Sequence, residues 1–385
     1  KSEMRVAQLT GRLSADMAYH HGEKSLSDAM VGLASKFPGG NNLSLLEPRG
    51  QFGSRYQGGK DSAEPRYIST CLPKYINQLF NEHDMKLLTP QMDEGRSIEP
   101  AHLFATVPII VVNGAVGIGT GWSTSIPKHK LSDVLDTLKH RNTTGKWKPI
   151  KPSYEDHRGP IVETPTGYMS KGLWEQRGNT FIVSELPVGM WSKVYDEFLD
   201  TCDFVSKYDN KCTDEIVHFV ITVNKPLKNI EKELKLTSNI NTTNMHVFDV
   251  DGKIVKFDTI LKLLEYYYQH RVGLYEVRRC EMIKQYQQDM IVLNEKARFM
   301  KMVMDNEIVI FRKSKSEISE QLKSHGFNKC ENSYNYLISI PLYHFMKEEL
   351  DKIYKNIQSI ENNIRYYQQH TREQLWQLDL ENIVI

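Results

Sequence analysis

The sequence predicts an α+β chain of several domains, and three patterns carry that prediction. Residues 1–120 mix helical and extended patterns with many turns, 121–258 run in alternating, strand-like stretches, and 259–385 carry heptad spacing. At 385 residues the chain exceeds one ordinary core, so two or three domains are expected. Apolar content of 40% and charged content of 25% are those of a soluble globular protein. No apolar run reaches the roughly 20 residues that cross a bilayer, which argues against a membrane partner. Five cysteines are scattered without a CxxC pair, so neither a disulfide framework nor a zinc site is expected, and the setting reads as reducing and intracellular. With 49 basic residues against 48 acidic ones, any nucleic-acid surface has to be a local patch.

The elements follow in order. The chain opens at Lys1 without an initiator Met, inside KSEMRVAQL, which reads as a strand, and the whole is read as a piece of a longer protein. In SLSDAMVGLASKF, Leu26, Met30, Leu33 and Phe37 recur at helical spacing, and Pro38-Gly39-Gly40 stops the helix. A second helix is expected from Tyr67 to about Phe80. Small helices joined by hairpins, with basic and glycine-rich connections, suit a winged-helix unit among other α+β folds. FIVSELP and EIVHFVITV read as strands, and HVFDVDGKIVKF as two runs about Asp251-Gly252, a type I′ hairpin signal.

In the last third, Met346, Leu350, Ile353, Ile357, Ile360, Ile364 and Tyr367 alternate spacings of four and three, as in a coiled-coil seam. A helix from about Leu261 to Met304 carries Tyr268, Val272, Tyr275, Met282 and Tyr286 in a looser version. Two long helices enclosing a small piece around Tyr336–Leu342 suggest an antiparallel coiled coil with a knob at its tip. A helical bundle packed on the chain's own core is the alternative.

Four stretches could carry chemistry. VPIIVVNGAVGIGTGW looks like a strand feeding a phosphate-binding loop, but it fits neither the dinucleotide fingerprint nor the P-loop, which needs Gly-Lys-Ser/Thr. What survives is a tight loop whose glycines hold up Ile118, which either folds into the core or faces a partner. Asp249-Val250-Asp251 could mimic a metal pair, yet Asp in a hairpin bend is explained by turn chemistry. In YHHGEKS, adjacent His20 and His21 cannot both face one metal, but near Lys24 and Ser25 they could contact phosphates or move protons. In RGQFGSRYQGGKDSAEPRY, Arg49, Arg55, Lys60 and Arg66 are interleaved with glycines that would let a phosphodiester backbone approach. That segment ends at Arg66-Tyr67, and a phenol becomes a nucleophile only where cations stabilise its phenolate.

Taken together, these segments resemble the breakage-reunion part of a type IIA DNA topoisomerase, closest to the eukaryotic-type single-chain enzymes. YHHGE, NNLSLLEPRGQFGSR, GGKDSAEPRYI, VNGAVGIGTGW, SELPVGMW, NMHVFDVDGKI, ARFM, YLISIPL and LWQLDL stand in that family's order over nearly the whole chain. The resemblance implies a winged-helix cleavage domain at 1–120, a β-rich tower at 121–258, and a coiled coil with a C-terminal dimer gate at 259–385. The gate would be formed by Leu337–Leu342.

It also implies roles. Tyr67 would form a 5′-phosphotyrosyl link, Arg66 would stabilise the transition state, and His21 would stand beside the scissile phosphate. Tyr19, His20, Ser25, Gln51, Arg55, Lys60, Trp191, Lys235 and Asn244 would contact DNA. Ile118 would be an intercalating wedge that bends the duplex. Mg²⁺ and ATP are expected to bind outside this segment, because no TOPRIM acidic constellation or ATPase motif is recognisable in it. No metal site is expected within it. The partners implied are double-stranded DNA and a second copy of the chain. ISTCLP after the tyrosine suggests a protist or a large DNA virus, hence a nuclear location in a cell, or host cytoplasm or virion for a virus. The rival readings are an architectural dimer that bends DNA without cutting it, and a bacterial-type A subunit.

Overall fold

The computed structural model describes residues 2–330 and 332–384. Lys1, where the predicted first strand opens, lies outside the described residues, as do Glu331, Ile385 and the side chain of Leu342 at the end of the expected gate. Packing divides the chain into two compact units, Lys1–Arg271 with Trp376–Ile385, and Val272–Leu375.

The first unit begins with β1 (Met4–Arg5), and α1 (Val6–Asp16) follows at once. KSEMRVAQL is therefore mostly helical rather than extended. Ala7, Gln8, Leu9, Arg12 and Leu13 favour a helix, and Val6 and Thr10, four apart, share its buried face. Helix α2 (Glu23–Ala34) buries Ser27, Met30, Val31 and Ala34. The expected stripe is thus rotated, with Leu33 largely exposed and Phe37 beyond the helix end. β2 (Glu47–Arg49) and β3 (Ser69–Cys71) complete a sheet in the order β1–β3–β2.

The helix expected from Tyr67 to Phe80 does not form. Ser69–Cys71, with β-branched Thr70 at its centre, forms a strand, and Pro73 cannot sit inside a helix, so only α3 (Ile76–Leu79) remains. α4 (Glu82–Met85), the β4 (Pro90–Asp93) and β5 (Arg96–Pro100) hairpin, and α5 (Ile109–Val112) lead to β6 (Ala115–Gly119) and β7 (Trp122–Ile126). The predicted glycine loop is thus a β-hairpin with Ile118 inside a strand, turning through Thr120 and Gly121.

After α6 (Leu131–Thr144) come β8 (Ile161–Thr164), β9 (Gly167–Lys171), β10 (Leu173–Arg177) and β11 (Thr180–Glu185), then α7 (Ser192–Asp200). β12 (Val205–Asn210), β13 (Phe219–Val223), α8 (Ile230–Glu233) and β14 (Thr237–Asn241) follow. The main sheet has the order β10–β11–β13–β12, and a second runs β14–β9–β8. Phe181, Val183, Phe219 and Ile221 alternate into its core with Leu186, Tyr195 and Leu199. β15 (Met245–Phe248) and β16 (Ile254–Phe257) form the predicted hairpin. Its turn is not type I′. Asp249 N–H donates to the Lys253 carbonyl at 2.9 Å, enclosing three residues with Gly252 at φ 76°, the geometry of a longer, bulged connection.

α9 (Ile260–Met304) begins in the first unit and continues into the second. The second unit also holds α10 (Lys315–Ser324), α11 (Asn335–Ile338) and α12 (Lys347–Gln369), and α13 (Arg372–Glu381) leads out of it. Phe299, Ile308, Ile318, Leu322, Phe327, Tyr334 and Leu337 make one core there. On α12 the predicted seam is buried at Ile357 and Ile364, while Met346 is exposed. Tyr286 and Tyr367 bring α9 and α12 together with ring centroids 6.1 Å apart.

Candidate nucleic-acid interface

Tyr67 sits in a turn held from both sides. The first two amides of α1, which have no partner within the helix, are taken up here: Val6 N–H donates to the Ile68 carbonyl at 3.0 Å and Ala7 N–H to the Pro65 carbonyl at 3.1 Å. Those two bonds bracket Arg66 and Tyr67. Ile68, the next side chain, is fully buried in a core with Val6, Met30, Val31, Ala34 and Phe52. Tyr67 itself is 72% exposed, and the Arg66 guanidinium lies 4.9 Å from its ring centroid. A large phenol is thus displayed on a rigid base with a permanent cation against it.

The link between α1 and α2 carries Tyr19 and His21, whose rings meet edge-on at 5.4 Å. His20 points instead to Asp93 on β4, 3.6 Å away. Ser25 is exposed in the first turn of α2, and Gln51 and Lys60 are exposed on the glycine-rich loop. Lys235 stands with its ammonium 4.0 Å from the centre of the Phe198 ring.

Three expected DNA contacts are placed otherwise. Arg55 is only 5% exposed, and its guanidinium pairs with the fully buried Glu185. It therefore cannot be a surface DNA contact. Burial pushes the Glu185 carboxyl up, but the hydrogen bonds and charge of Arg55 outweigh that and leave it below its ordinary value. Glu185 also accepts from Arg158 N–H at 3.2 Å and Leu186 N–H at 2.9 Å. Trp191 is half-buried against the loop, since a Cβ on Gly58 would fall 2.3 Å from its indole. Gly58 serves close packing within the chain rather than the approach of a phosphodiester. Asn244 fastens a neighbour: its amide donates to the Ser123 hydroxyl at 2.8 Å, and its carbonyl accepts from Ser125 N–H at 2.7 Å.

The neighbour is the β6–β7 hairpin. Ile118 is 93% exposed and Val116 85%, and as residues two apart on a strand they share one face. Trp122, half exposed, stands edge-on to His246 at 5.4 Å, and His246 N–H donates to the Thr124 hydroxyl at 3.1 Å. β7 is thus held by Asn244 and β15 from Trp122 to Ser125, next to the turn, while Val116 and Ile118 on the paired strand β6 face solvent. Just beyond β7, the Lys128 ammonium donates to the Gly40 carbonyl at 2.7 Å, and burial pushes its pKa down. The buried His129 ring bonds the Val111 carbonyl through Nδ1 at 3.2 Å.

Gly114 and Gly121 have φ of 65° and 75°, where glycine is required. Gly117 and Gly119 have ordinary φ, and a Cβ on either would meet nothing closer than 3.9 Å. These two do not hold Ile118 up, contrary to the sequence-based expectation.

Sequence reasoning missed Glu185, Trp122 and His246. Glu185 was legible, because it falls in phase with Phe181 and Val183 on the buried side of β11, where a lone carboxylate needs a cation. Among the described residues, no group of three or more His, Cys, Asp or Glu side chains is placed to hold a metal ion. Asp249 accepts from the amides of Asp251 and Lys253 at 2.9 and 2.8 Å, so its carboxylate belongs to its turn.

Comparison with known proteins agrees on one family. A family model for the A subunit of DNA gyrase/topoisomerase IV matches residues 1–381. The chain belongs to that family. It is 31% identical to DNA topoisomerase 2 of Penicillium chrysogenum, covering 100% of this chain and 27% of that protein. It is 30% identical to DNA topoisomerase 2 of Acanthamoeba polyphaga mimivirus, covering 100% of this chain and 37% of that protein. Among solved structures it is similar to the Plasmodium falciparum topoisomerase II DNA-binding, cleavage and re-ligation domain. That match has a TM-score of 0.91 and 31% identity, over 100% of this chain and 58% of that one. The chain spans about a quarter to a third of the length of the first curated relatives it matches.

Proposed function

We propose that this chain is the breakage-reunion segment of a type IIA DNA topoisomerase of the eukaryotic type, cutting and resealing both strands of a duplex to change its topology. The observation that carries the reading is the Tyr67 turn: an exposed phenol, Arg66 against it, and two backbone bonds fixing its flanks. In the reaction Tyr67 Oη loses its proton and attacks a DNA phosphorus. The P–O3′ bond breaks, the 3′ oxygen takes up a proton, and a 5′-phosphotyrosyl ester remains. Because one ester replaces another, the reverse attack by the 3′ hydroxyl reseals the strand without a separate energy source. Arg66 would stabilise charge on the phosphoryl oxygens, and His21, with Tyr19 beside it, would contact the phosphate. His20, Ser25, Gln51, Lys60 and Lys235 would contact the flanking duplex, with Trp191 and Asn244 supporting that surface. Ile118 would open a base step and bend it.

The division into a winged-helix part at 1–120, a tower at 121–258, and a coiled coil with dimer gate at 259–385 is proposed on the same footing. α1, α2 and their sheet support the first part, the two larger sheets the second, and α9 with α12 the third. Two strands require two tyrosines, hence a homodimer. Mg²⁺ and ATP would act from parts of the protein outside this segment. No helix among the described residues is long and apolar enough to cross a membrane. The relatives include proteins of cells and of large DNA viruses, so the nucleus, the host cytoplasm or the virion is the proposed location.

The test is to trap covalent protein–DNA adducts with the full-length protein and supercoiled plasmid, and to repeat it with Tyr67→Phe. Adducts in the parent and none in the variant are expected. Adducts that persist in Tyr67→Phe, or a parent that never forms them, would sink the reading.

A further inference from the structure

Glu185 and Tyr67 are far apart in sequence, yet a chain of contacts runs between them. The Glu185 carboxylate is fully buried, with Arg158 Nε 3.5 Å and His157 Nδ1 3.8 Å from its oxygens and the Arg55 guanidinium paired to it. Arg55 belongs to the loop between β2 and Tyr67. Its N–H donates to the Asp214 carbonyl at 3.1 Å, and the carbonyl of the next residue, Tyr56, accepts from Lys193 N–H at 2.9 Å. The loop closes on itself, since Ser54 N–H donates to the Asp61 carboxylate at 2.9 Å and Ala63 N–H to the Gln51 carbonyl at 2.9 Å. Its Phe52 shares one core with Ile68, the residue after Tyr67.

From this geometry we infer that Glu185 is a positioning residue for DNA cleavage, acting through Arg55 to fix the 51–63 loop on which the Tyr67 turn rests. The inference rests on the proposed cleavage reaction. A carboxylate could have been replaced here by an apolar residue without loss of burial, because Phe181 and Val183 already fill the same face of β11. What an ion pair adds is direction: a planar guanidinium meets a carboxylate in few orientations, while an apolar contact slides. An in-line attack tolerates little displacement of the nucleophile, so orientation is the property the reaction would use.

The experiment uses the full-length protein and reads three quantities: first-turnover formation of the Tyr67 adduct, DNA affinity, and Tm. Glu185→Gln is expected to slow adduct formation by about 100-fold, the scale of a small misplacement of reacting atoms. Affinity should stay within about threefold, because phosphate contacts elsewhere supply it. The double variant Arg55→Met, Glu185→Leu removes both charges and should recover most of the Tm lost by Glu185→Gln. In that variant adduct formation is expected to remain slow. If the rate returns together with Tm, the pair is merely structural and the inference is overturned. Should the double variant stay unstable, Val183→Ala of matched Tm serves as reference. Equal adduct rates in it and in Glu185→Gln overturn the inference, and a slower Glu185→Gln upholds it. A wild type that forms no adduct overturns the cleavage reading itself. Adducts that form normally in both wild type and Glu185→Gln overturn only the role of Glu185.

Discussion

The turn that carries Tyr67 and the hairpin that carries Ile118 both lift one large side chain into solvent, but they are built in opposite ways. Around Tyr67 everything except the displayed side chain is fixed: the α1 amides bind the carbonyls on each side, and Ile68 is driven into the core. Around Ile118 the support reaches only the paired strand, where Asn244 and His246 hold Trp122–Ser125, while the Val116 and Ile118 side chains on β6 stand in solvent. The contrast is clearest in two isoleucines, Ile68 at 1% exposed and Ile118 at 93%. Burying such a side chain is worth roughly 1.5–3 kcal/mol, so the first is held by the fold and the second gains nothing from it. A nucleophile needs a fixed position, whereas a wedge needs clearance to enter a base step.

Truncating the two isoleucines breaks that contrast most directly. Ile68→Ala should cost about 2–5 kcal/mol in urea unfolding, through lost transfer energy and the cavity left behind. A loss under about 1 kcal/mol would mean that the Tyr67 turn is not anchored as described. Ile118→Ala should leave stability within about 0.5 kcal/mol, because the side chain is almost fully exposed. Its effect belongs to DNA: bending measured by FRET should fall while affinity, supplied mostly by phosphate contacts, changes less. Bending that is unchanged in Ile118→Ala would remove the wedge from the mechanism.

Acid sharpens the comparison at the hairpin's base. Burial pushes the His129 imidazole down to about 4 from its ordinary 6.5, against hydrogen bonds to the Val111 and Pro127 carbonyls that favour the charged form. Its Nε2 is buried without a partner among the described residues, so the neutral ring is the one that fits. Because the unfolded chain binds this proton more readily, stability is fully present above about pH 6.5 and is lost as pH falls from there toward 4. The full difference is on the order of 3 kcal/mol. His129→Gln should flatten the slope over that window. Hydrogen exchange at pH 5 should loosen the residues around Val111 and β7 before those around Tyr67, and simultaneous loosening would contradict the separation of the two regions.

Much of this was legible in the residues. Local sequence left Ile118 open between core and surface, and the structure places it, like Tyr67, with its side chain in solvent. The strands of the β-rich part followed from alternation, as did the long helices from heptads. What failed was tertiary. Arg55 reads as a DNA-facing cation in its own loop, and only the distant Glu185 turns it inward. The residues after Tyr67 turn extended because Ser69–Cys71 pairs with Met4–Arg5 and Glu47–Arg49, and KSEMRVAQL turns helical from Val6 because Val6 and Thr10 bury one helix face. The glycines of the hairpin look alike in sequence, yet their backbone angles divide them.

That division gives the smallest and most specific prediction. Gly114→Ala forces a side chain onto a backbone at φ 65° and sets its Cβ 2.5 Å from the Ile126 carbonyl oxygen, so it should destabilise the chain clearly. Gly117→Ala and Gly119→Ala make only ordinary van der Waals contacts, at 3.9 Å, and sit at ordinary angles. Each should raise stability by about 0.5–1 kcal/mol, since a strand interior prefers alanine to glycine on entropic grounds. Thermal melts of the three variants decide it. A loss of stability at position 117 or 119 equal to that at 114 would show that the outer hairpin is held by the fold after all. The contrast with the Tyr67 turn would then fail at its second arm, because both displayed side chains would rest on fixed backbone.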